Sequence, residues 1–100
     1  MHTTPLAPAD YLVASQHIET ALDSVVDHGD DDELFTASYL QGHFAVISKP
    51  LEMEPQASLQ SLNEAVTQSL NTAFANNELD PDDQQKVWAL WSHLVTQAKR

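Results

Sequence analysis

Tyr39 and His43 are the side chains of this sequence best suited to acid–base chemistry or to ligand binding. A histidine exchanges a proton near neutral pH, and a tyrosine hydroxyl both donates and accepts hydrogen bonds. In a pocket between helices, the two would form a site for a small molecule or for a reaction. The simpler interpretation of His43 is a partly buried imidazole whose nitrogens bond to a carbonyl or carboxylate group.

Two runs of acidic residues are the most conspicuous feature of the sequence. They consist of Asp27, Asp30, Asp31, Asp32 and Glu33, and of Glu78, Asp80, Asp82 and Asp83. Both lie at predicted helix N-termini, where carboxylates accept hydrogen bonds from backbone N–H groups and face the positive end of the helix dipole. Their spacing does not match a calcium-binding EF-hand loop. The runs therefore cap helices, keep the protein soluble or bind a basic protein surface.

The sequence contains no other recognisable catalytic or metal-binding pattern. It has no cysteine, and its five histidines form no H-E-x-x-H, H-x-H or i, i+4 pair. Its two glycines form no phosphate-binding loop, and no G-x-S-x-G motif positions a serine nucleophile. We therefore expect no disulfide, no metal, no cofactor and no enzymatic activity.

The charge distribution excludes several classes of partner. The chain has 15 acidic and 4 basic residues, a formal net charge of −11, and no Lys or Arg before Lys49. Nucleic acids and anionic lipids are bound by clustered basic side chains, so neither is an expected partner. The N-terminus shows no signal-peptide pattern, and no segment has the apolar length of a transmembrane helix. These features favour a cytoplasmic protein.

Apolar residues recur at helical spacing in four segments. The predicted helices run from about Pro8 to Asp27, Asp31 to Ser48, Ser58 to Asn76 and Asp80 to Ala98. Asp30, followed three residues later by Glu33, forms a capping box that begins the second helix, and Asp80-Pro81 begins the fourth. Gly29, between the first two helices, is expected to turn the chain through a positive φ.

The second predicted helix is apolar on more than one side. One face carries Phe35, Tyr39, Gly42 and Val46, and another carries Leu40, Phe44 and Ile47. Such a helix is either the most buried element of the domain or contributes one face to a contact between subunits. An interior glycine costs about 0.5–1 kcal/mol relative to alanine, so Gly42 predicts close packing against a backbone or a tryptophan ring.

The order of the elements predicts an all-α fold, because no pair of alternating strands joined by a hairpin turn is present. Four helices form two antiparallel hairpins that pack as a compact bundle. Lys49-Pro50 is expected to end the second helix, which makes residues 49–57 the loop between the hairpins. Residues 1–100 form a single helical domain, with residues 1–8 as a disordered N-terminal extension.

Two stretches of the sequence form a recognisable signature. They are Asp31-Asp32-Glu33-Leu34-Phe35 with Tyr39-Leu40-x-Gly42-His43, and Glu78-Leu79-Asp80-Pro81-x-Asp83. The signature resembles that of the YfcL family of small bacterial proteins, and the similarity extends from about Ile18 to Thr96. Residues 1–8 and 49–56 are particular to this sequence. The resemblance implies a small, helical, cytoplasmic bacterial protein and assigns no catalytic or ligand-binding residue.

The charge asymmetry and the missing catalytic patterns predict a non-enzymatic interaction module that binds a basic protein surface. Its candidate interaction surface consists of Asp31, Asp32, Glu33, Tyr39 and His43. One alternative is a homodimer or larger structural homo-oligomer, in which an apolar face of the second helix is buried between subunits. The other is a small-molecule binding protein or enzyme with its site near Tyr39 and His43.

Overall fold

Four helices follow the apolar periodicity of the sequence. The computed structural model describes residues 5–99. The helices are α1 (Ala9–His28), α2 (Asp31–Leu51), α3 (Leu59–Ala75) and α4 (Pro81–Ala98). Residues 5–99 contain no strand, and all four helices pack together, so the predicted all-α bundle is confirmed. Within the same residues, no helix has the combination of length and apolar character needed to cross a membrane.

Local sequence signals fix where the helices begin. At the start of α2, the Asp30 carboxylate accepts a hydrogen bond from the Glu33 backbone N–H at 2.9 Å. The Glu33 carboxylate accepts one from the Asp30 N–H at 3.2 Å, which confirms the predicted capping box. Asp80 is the N-cap of α4 and Pro81 its first residue, although the Asp80 side chain makes no capping hydrogen bond.

One continuous apolar core lies between the helices. The largest fully buried side chains include Tyr11, Ile18, Leu22, Leu40, Phe44, Leu62, Leu70 and Trp91. The indole N–H of Trp91 donates to Asn63 Oδ1 at 2.7 Å, so the polar group of this large side chain is satisfied. Trp88 is partly buried and packs edge-on against Phe74, with 5.5 Å between ring centroids. Both tryptophans therefore anchor α4 to the core.

The second helix is central to the bundle but buried on one side only. It packs against each of the other three helices. Leu40 and Phe44 are buried, and Ile47 packs against them from a partly buried position. Phe35 and Val46, in contrast, are 48% and 75% exposed. The protein's own core therefore covers one of the two predicted apolar faces, whereas on the other face Tyr39 is partly buried and Phe35 and Val46 remain exposed.

The two glycines differ from the sequence-based expectation. Gly29 has an extended backbone, with φ −76° and ψ 164°, so the predicted positive φ was wrong. Glycine is needed there for space, because a Cβ would lie 2.6 Å from the Val25 carbonyl oxygen and 2.8 Å from the Glu33 Cβ. The close packing predicted at Gly42 does not occur within this chain. Gly42 is exposed, and nothing lies within 4 Å of the position its Cβ would occupy.

The positive φ occurs instead at the end of α3. Asn77 has φ 61°, and its N–H donates to the Phe74 carbonyl at 3.0 Å. The N–H of Glu78 donates to the Ala73 carbonyl at 3.3 Å, which completes a Schellman motif. Asparagine is one of the few residues other than glycine that tolerate this backbone conformation. The motif reverses the chain and fixes the position of Glu78.

The end of α2 also differs from the prediction. The helix continues through Pro50 to Leu51, so its predicted end at Lys49-Pro50 was wrong and the following loop begins at residue 52 rather than 49. Pro50 lies in the last turn on the exposed side, where it removes only one backbone hydrogen bond of the helix. The Tyr11 hydroxyl donates to the Ser48 carbonyl at 2.9 Å in a buried contact that holds this turn against α1.

The segment before α1 is attached to the bundle. The N–H groups of Leu6 and Ala7 both donate to the Glu52 carbonyl, at 2.9 and 3.0 Å, and Ala7 is buried. The predicted disorder of residues 1–8 is therefore wrong for residues 6 and 7. Residues 1–4 of that predicted extension lie outside the described residues.

Candidate functional site

A groove opens where the first turn of α2 meets the end of α1 and the side of α4. Its volume is about 320 Å³, and its lining consists of Val25, Asp30, Asp32, Glu33, Thr36, Lys86, Ala89 and Leu90. Val25, Ala89 and Leu90 supply apolar surface, whereas the three acidic residues supply carboxylates. We call this feature the acidic groove. The capping box holds the carboxylates of Asp30 and Glu33 in place.

The carboxylates of the acidic groove differ in whether they make hydrogen bonds within the chain. Asp30 and Glu33 bond to each other's backbone N–H groups. Among residues 5–99, the Asp32 side chain has only a long ion pair, with its carboxylate oxygen 3.9 Å from Lys86 Nζ, and the two side chains are 85% and 50% exposed. Solvent screens a pair of this kind, and such pairs contribute little to stability. The charge of Asp32 is therefore available to a partner.

A second group of polar side chains lies farther along α2. The Tyr39 hydroxyl donates to the Glu78 carboxylate at 2.8 Å, and His43 Nδ1 lies 2.9 Å from Ser69 Oγ. The Tyr39 and His43 rings pack together with 4.8 Å between centroids, and Tyr39 also stacks on Phe74. We call these four polar residues the Tyr39–His43 cluster. The Asn77 turn and α3 bring Glu78 and Ser69 to α2.

The environment of Tyr39 keeps its hydroxyl protonated. Burial contributes most to raising the pKa of Tyr39 to about 12, and the rest of the rise comes from the hydrogen bond to Glu78 and the negative charge of that carboxylate. At neutral pH the hydroxyl is therefore a hydrogen-bond donor and not a base. Its proton is directed at Glu78.

The Tyr39–His43 cluster has one element of a nucleophilic site. A serine hydroxyl within hydrogen-bond distance of an imidazole is the pairing that activates a serine nucleophile. Acyl transfer also requires N–H donors for a developing oxyanion, and the backbone N–H groups around Ser69 belong to the interior of α3. His43 is partly buried, as expected, and its observed partner is a hydroxyl rather than a carbonyl or carboxylate.

The structure divides the predicted interaction surface into three parts. Asp32 and Glu33 line the acidic groove, whereas Tyr39 and His43 belong to shallow depressions on the α3 side of α2. Asp31 is exposed and is not part of the groove lining. The five residues therefore do not form one continuous site.

Sequence reasoning missed the residues that come from other helices. Val25 and Leu90 in the acidic groove, and Ser69 in the Tyr39–His43 cluster, carry no local signal of a site. Glu78 was conspicuous only as a member of an acidic run and of the signature that resembles the YfcL family. In the part of the chain that the structure describes, no three or more His, Asp or Glu side chains are grouped so that they could hold a metal ion.

Comparison with known proteins agrees with the signature seen in the sequence. The family model described as YfcL protein matches residues 13–96. The chain belongs to the YfcL family. A relative from Escherichia coli (strain K12), described as uncharacterized protein YfcL, is 40% identical over 79 residues, which cover 79% of this chain and 86% of the relative. No solved structure matches the chain. The YfcL match includes the acidic groove and the Tyr39–His43 cluster.

Proposed function

We propose that this YfcL-family protein is a non-enzymatic interaction module whose acidic groove binds a basic, amphipathic segment of another protein. The observation that carries the proposal is one groove in which apolar Val25 and Leu90 lie beside the carboxylate of Asp32. Apolar surface binds aliphatic side chains through the hydrophobic effect, and carboxylates bind Lys or Arg. A segment that presents both kinds of side chain on one side matches the groove.

The charge of the whole chain supports the same kind of partner. A formal charge of −11 on 100 residues creates a negative potential that attracts basic surfaces and repels acidic ones. Attraction of this kind speeds association and weakens as salt is added. The complex should therefore form faster, and have a lower Kd, at low ionic strength.

The Tyr39–His43 cluster supports a structural role more than a catalytic one. Its groups are paired with one another, since Tyr39 bonds to Glu78 and His43 lies at hydrogen-bond distance from Ser69. A polar network that is internally satisfied orients neighbouring helices and adds specificity to their packing. In this proposal the cluster holds α2 against α3, and the acidic groove does the binding.

The test compares capture of a basic partner by two double variants of the full chain. Asp32→Asn with Glu33→Gln removes two charges from the acidic groove, whereas Asp82→Asn with Asp83→Asn removes two charges from the first turn of α4 outside the groove lining. Gln at position 33 retains the capping box, because glutamine serves there as well as glutamate.

Each protein is immobilised, exposed to lysate of its own host and washed at low and then moderate salt. We expect a basic protein to be retained by the wild type and by the Asp82/Asp83 variant, and lost from the Asp32/Glu33 variant. Its retention should fall as salt rises. If the Asp32/Glu33 variant retains the same partner as the wild type, the groove is not the binding site.

A further inference from the structure

The outward side of α2 presents apolar side chains that the bundle does not cover. Leu34, Phe35 and Val46 are 40%, 48% and 75% exposed. Gly42 and Ser38 lie between them along the helix and are also exposed. We call these five residues the outer face of α2. Apolar groups that remain in water in this way are a common mark of an interface.

The middle of the outer face leaves room for another backbone. Gly42 borders a depression of about 440 Å³ on the α1 side of α2 and one of about 480 Å³ on the α3 side. Nothing lies within 4 Å of its missing Cβ, so no side chain separates the two depressions at that point. A second helix can therefore approach the backbone of α2 closely at Gly42.

The ends of the outer face carry opposite charges. Asp31 begins α2, and Lys49 lies near its end, where its side chain is 74% exposed and forms a 3.6 Å ion pair with Glu52 that solvent screens. The two positions are about five helical turns apart, so they share one side of the helix and are separated by roughly 27 Å along its axis. This side therefore carries a carboxylate at one end, a lysine at the other and exposed apolar side chains between them, an arrangement in which Asp31 and Lys49 can pair when the helix is reversed.

We propose that the outer face binds the outer face of a second copy of this chain in antiparallel orientation. The twofold axis lies between Ser38 and Gly42. It sets Asp31 opposite Lys49 of the partner copy and Leu34 opposite the partner copy's Val46, and every contact occurs twice. A parallel pairing would bring like charges together instead. The acidic groove is not part of this contact, so the dimer does not depend on the proposed binding of a basic partner.

The first test measures the mass of the full chain by sedimentation velocity from about 10 µM to about 1 mM, a range that detects weak dimers. We expect a monomer–dimer equilibrium. Val46→Gln should weaken dimerisation about tenfold or more, whereas Val13→Gln, its matched control, should leave it unchanged. Val13 lies on α1 and is 70% exposed, against 75% for Val46. A chain that is monomeric throughout, or variants with equal effects, would overturn the proposal.

A second variant separates loss of the contact from loss of the fold. Gly42→Gln fills the open space at the centre of the outer face but meets no atom of its own chain within 4 Å of the Cβ. Glutamine also has a higher helix propensity than glycine. The variant should therefore unfold at the same or a higher temperature in dilute solution and should no longer dimerise. A Gly42→Gln protein that dimerises like the wild type would show that the dimer contact is not centred near Gly42.

The register is tested by exchanging the charges at the two ends. Lys49→Glu alone should weaken the dimer, because two carboxylates then face each other at each end. Asp31→Lys combined with Lys49→Glu should restore dimerisation to near the wild-type level, since the opposite charges are again paired in the antiparallel arrangement. A double variant as weak as Lys49→Glu would rule out this register. Circular dichroism of the dilute variants checks that the helices remain.

Discussion

The first turn of α2 and the middle of the same helix use their polar groups differently. At the first turn, Asp32 is largely exposed and meets only Lys86 at 3.9 Å. In the middle, Tyr39 donates to Glu78 at 2.8 Å, and His43 lies 2.9 Å from Ser69. The first turn keeps an exposed charge, whereas the middle of the helix makes hydrogen bonds to α3 and to the turn that follows α3.

This difference shows how one helix can separate binding from packing. An exposed carboxylate keeps its charge for a partner and adds little to the stability of the fold. Paired groups between helices fix the positions of those helices but leave few free donors or acceptors. Substitutions at the first turn should therefore alter binding more than stability, and substitutions in the middle should do the reverse.

The largest expected effect on stability comes from the turn that positions the acidic groove. Gly29→Ala places a Cβ 2.6 Å from the Val25 carbonyl oxygen, and backbone atoms can move away only by distorting the turn. We expect the free energy of unfolding to fall by about 1–3 kcal/mol, the usual range for forced overpacking. Urea unfolding followed by circular dichroism measures it. A Gly29→Ala protein as stable as the wild type would show that the turn is not constrained.

Removal of one hydroxyl in the middle of α2 should have the next largest effect. Tyr39→Phe abolishes the hydrogen bond to Glu78 and should lower the free energy of unfolding by about 1 kcal/mol at neutral pH. Asp32→Asn, which removes an exposed carboxylate from the first turn, should change it by less than about 0.5 kcal/mol. Equal losses in the two variants would remove the distinction between the regions.

The pH dependence of stability gives a second measure of the Tyr39 contact. The pKa of Tyr39 is raised to about 12 in the folded protein, against 10.0 for an unperturbed tyrosine. The Tyr39 hydroxyl therefore loses its proton at a lower pH in the unfolded chain than in the folded one. Its contribution to the free energy of unfolding is complete below pH 10 and is lost as the pH rises towards 12. Tyr39→Phe should make the loss of stability in this range shallower. Burial also raises the pKa of Tyr11, but that residue is present in both proteins.

Of the two glycine-to-alanine substitutions, the one at Gly42 should have the smaller effect on the free energy of unfolding, with a sign opposite to that at Gly29. Gly42→Ala adds a methyl group where nothing lies within 4 Å and raises helix propensity. The free energy of unfolding should rise by about 0.5–1 kcal/mol. The paired alanine substitutions are best compared by thermal unfolding at one low protein concentration, so that self-association does not contribute. Destabilisation by both would mean that the middle of α2 is as crowded as the turn.

Local sequence signals predicted the helices and the capping of α2, but not the backbone conformations at Gly29 and Asn77. Apolar spacing located all four helices, and the reciprocal bonds of Asp30 and Glu33 were visible from their separation of three residues. Pro50 shows the limit of such signals. Its local preference is to end a helix, but the Tyr11 hydroxyl on α1 bonds to the Ser48 carbonyl and holds the last turn in place. That contact joins residues 37 positions apart, so no local sequence pattern predicts it.

By itself, the sequence determined the number of helices, the capping of α2 and the acidic character of the chain, because propensity, capping and charge depend on residue type and short spacing. Only the tertiary structure decided which apolar face of α2 is buried, that Gly42 is open, and that Tyr39 meets Glu78. It also brought Val25 and Leu90 to the carboxylates of the acidic groove. These features depend on how helices pack, and packing is set by the shapes of surfaces that are distant in the chain.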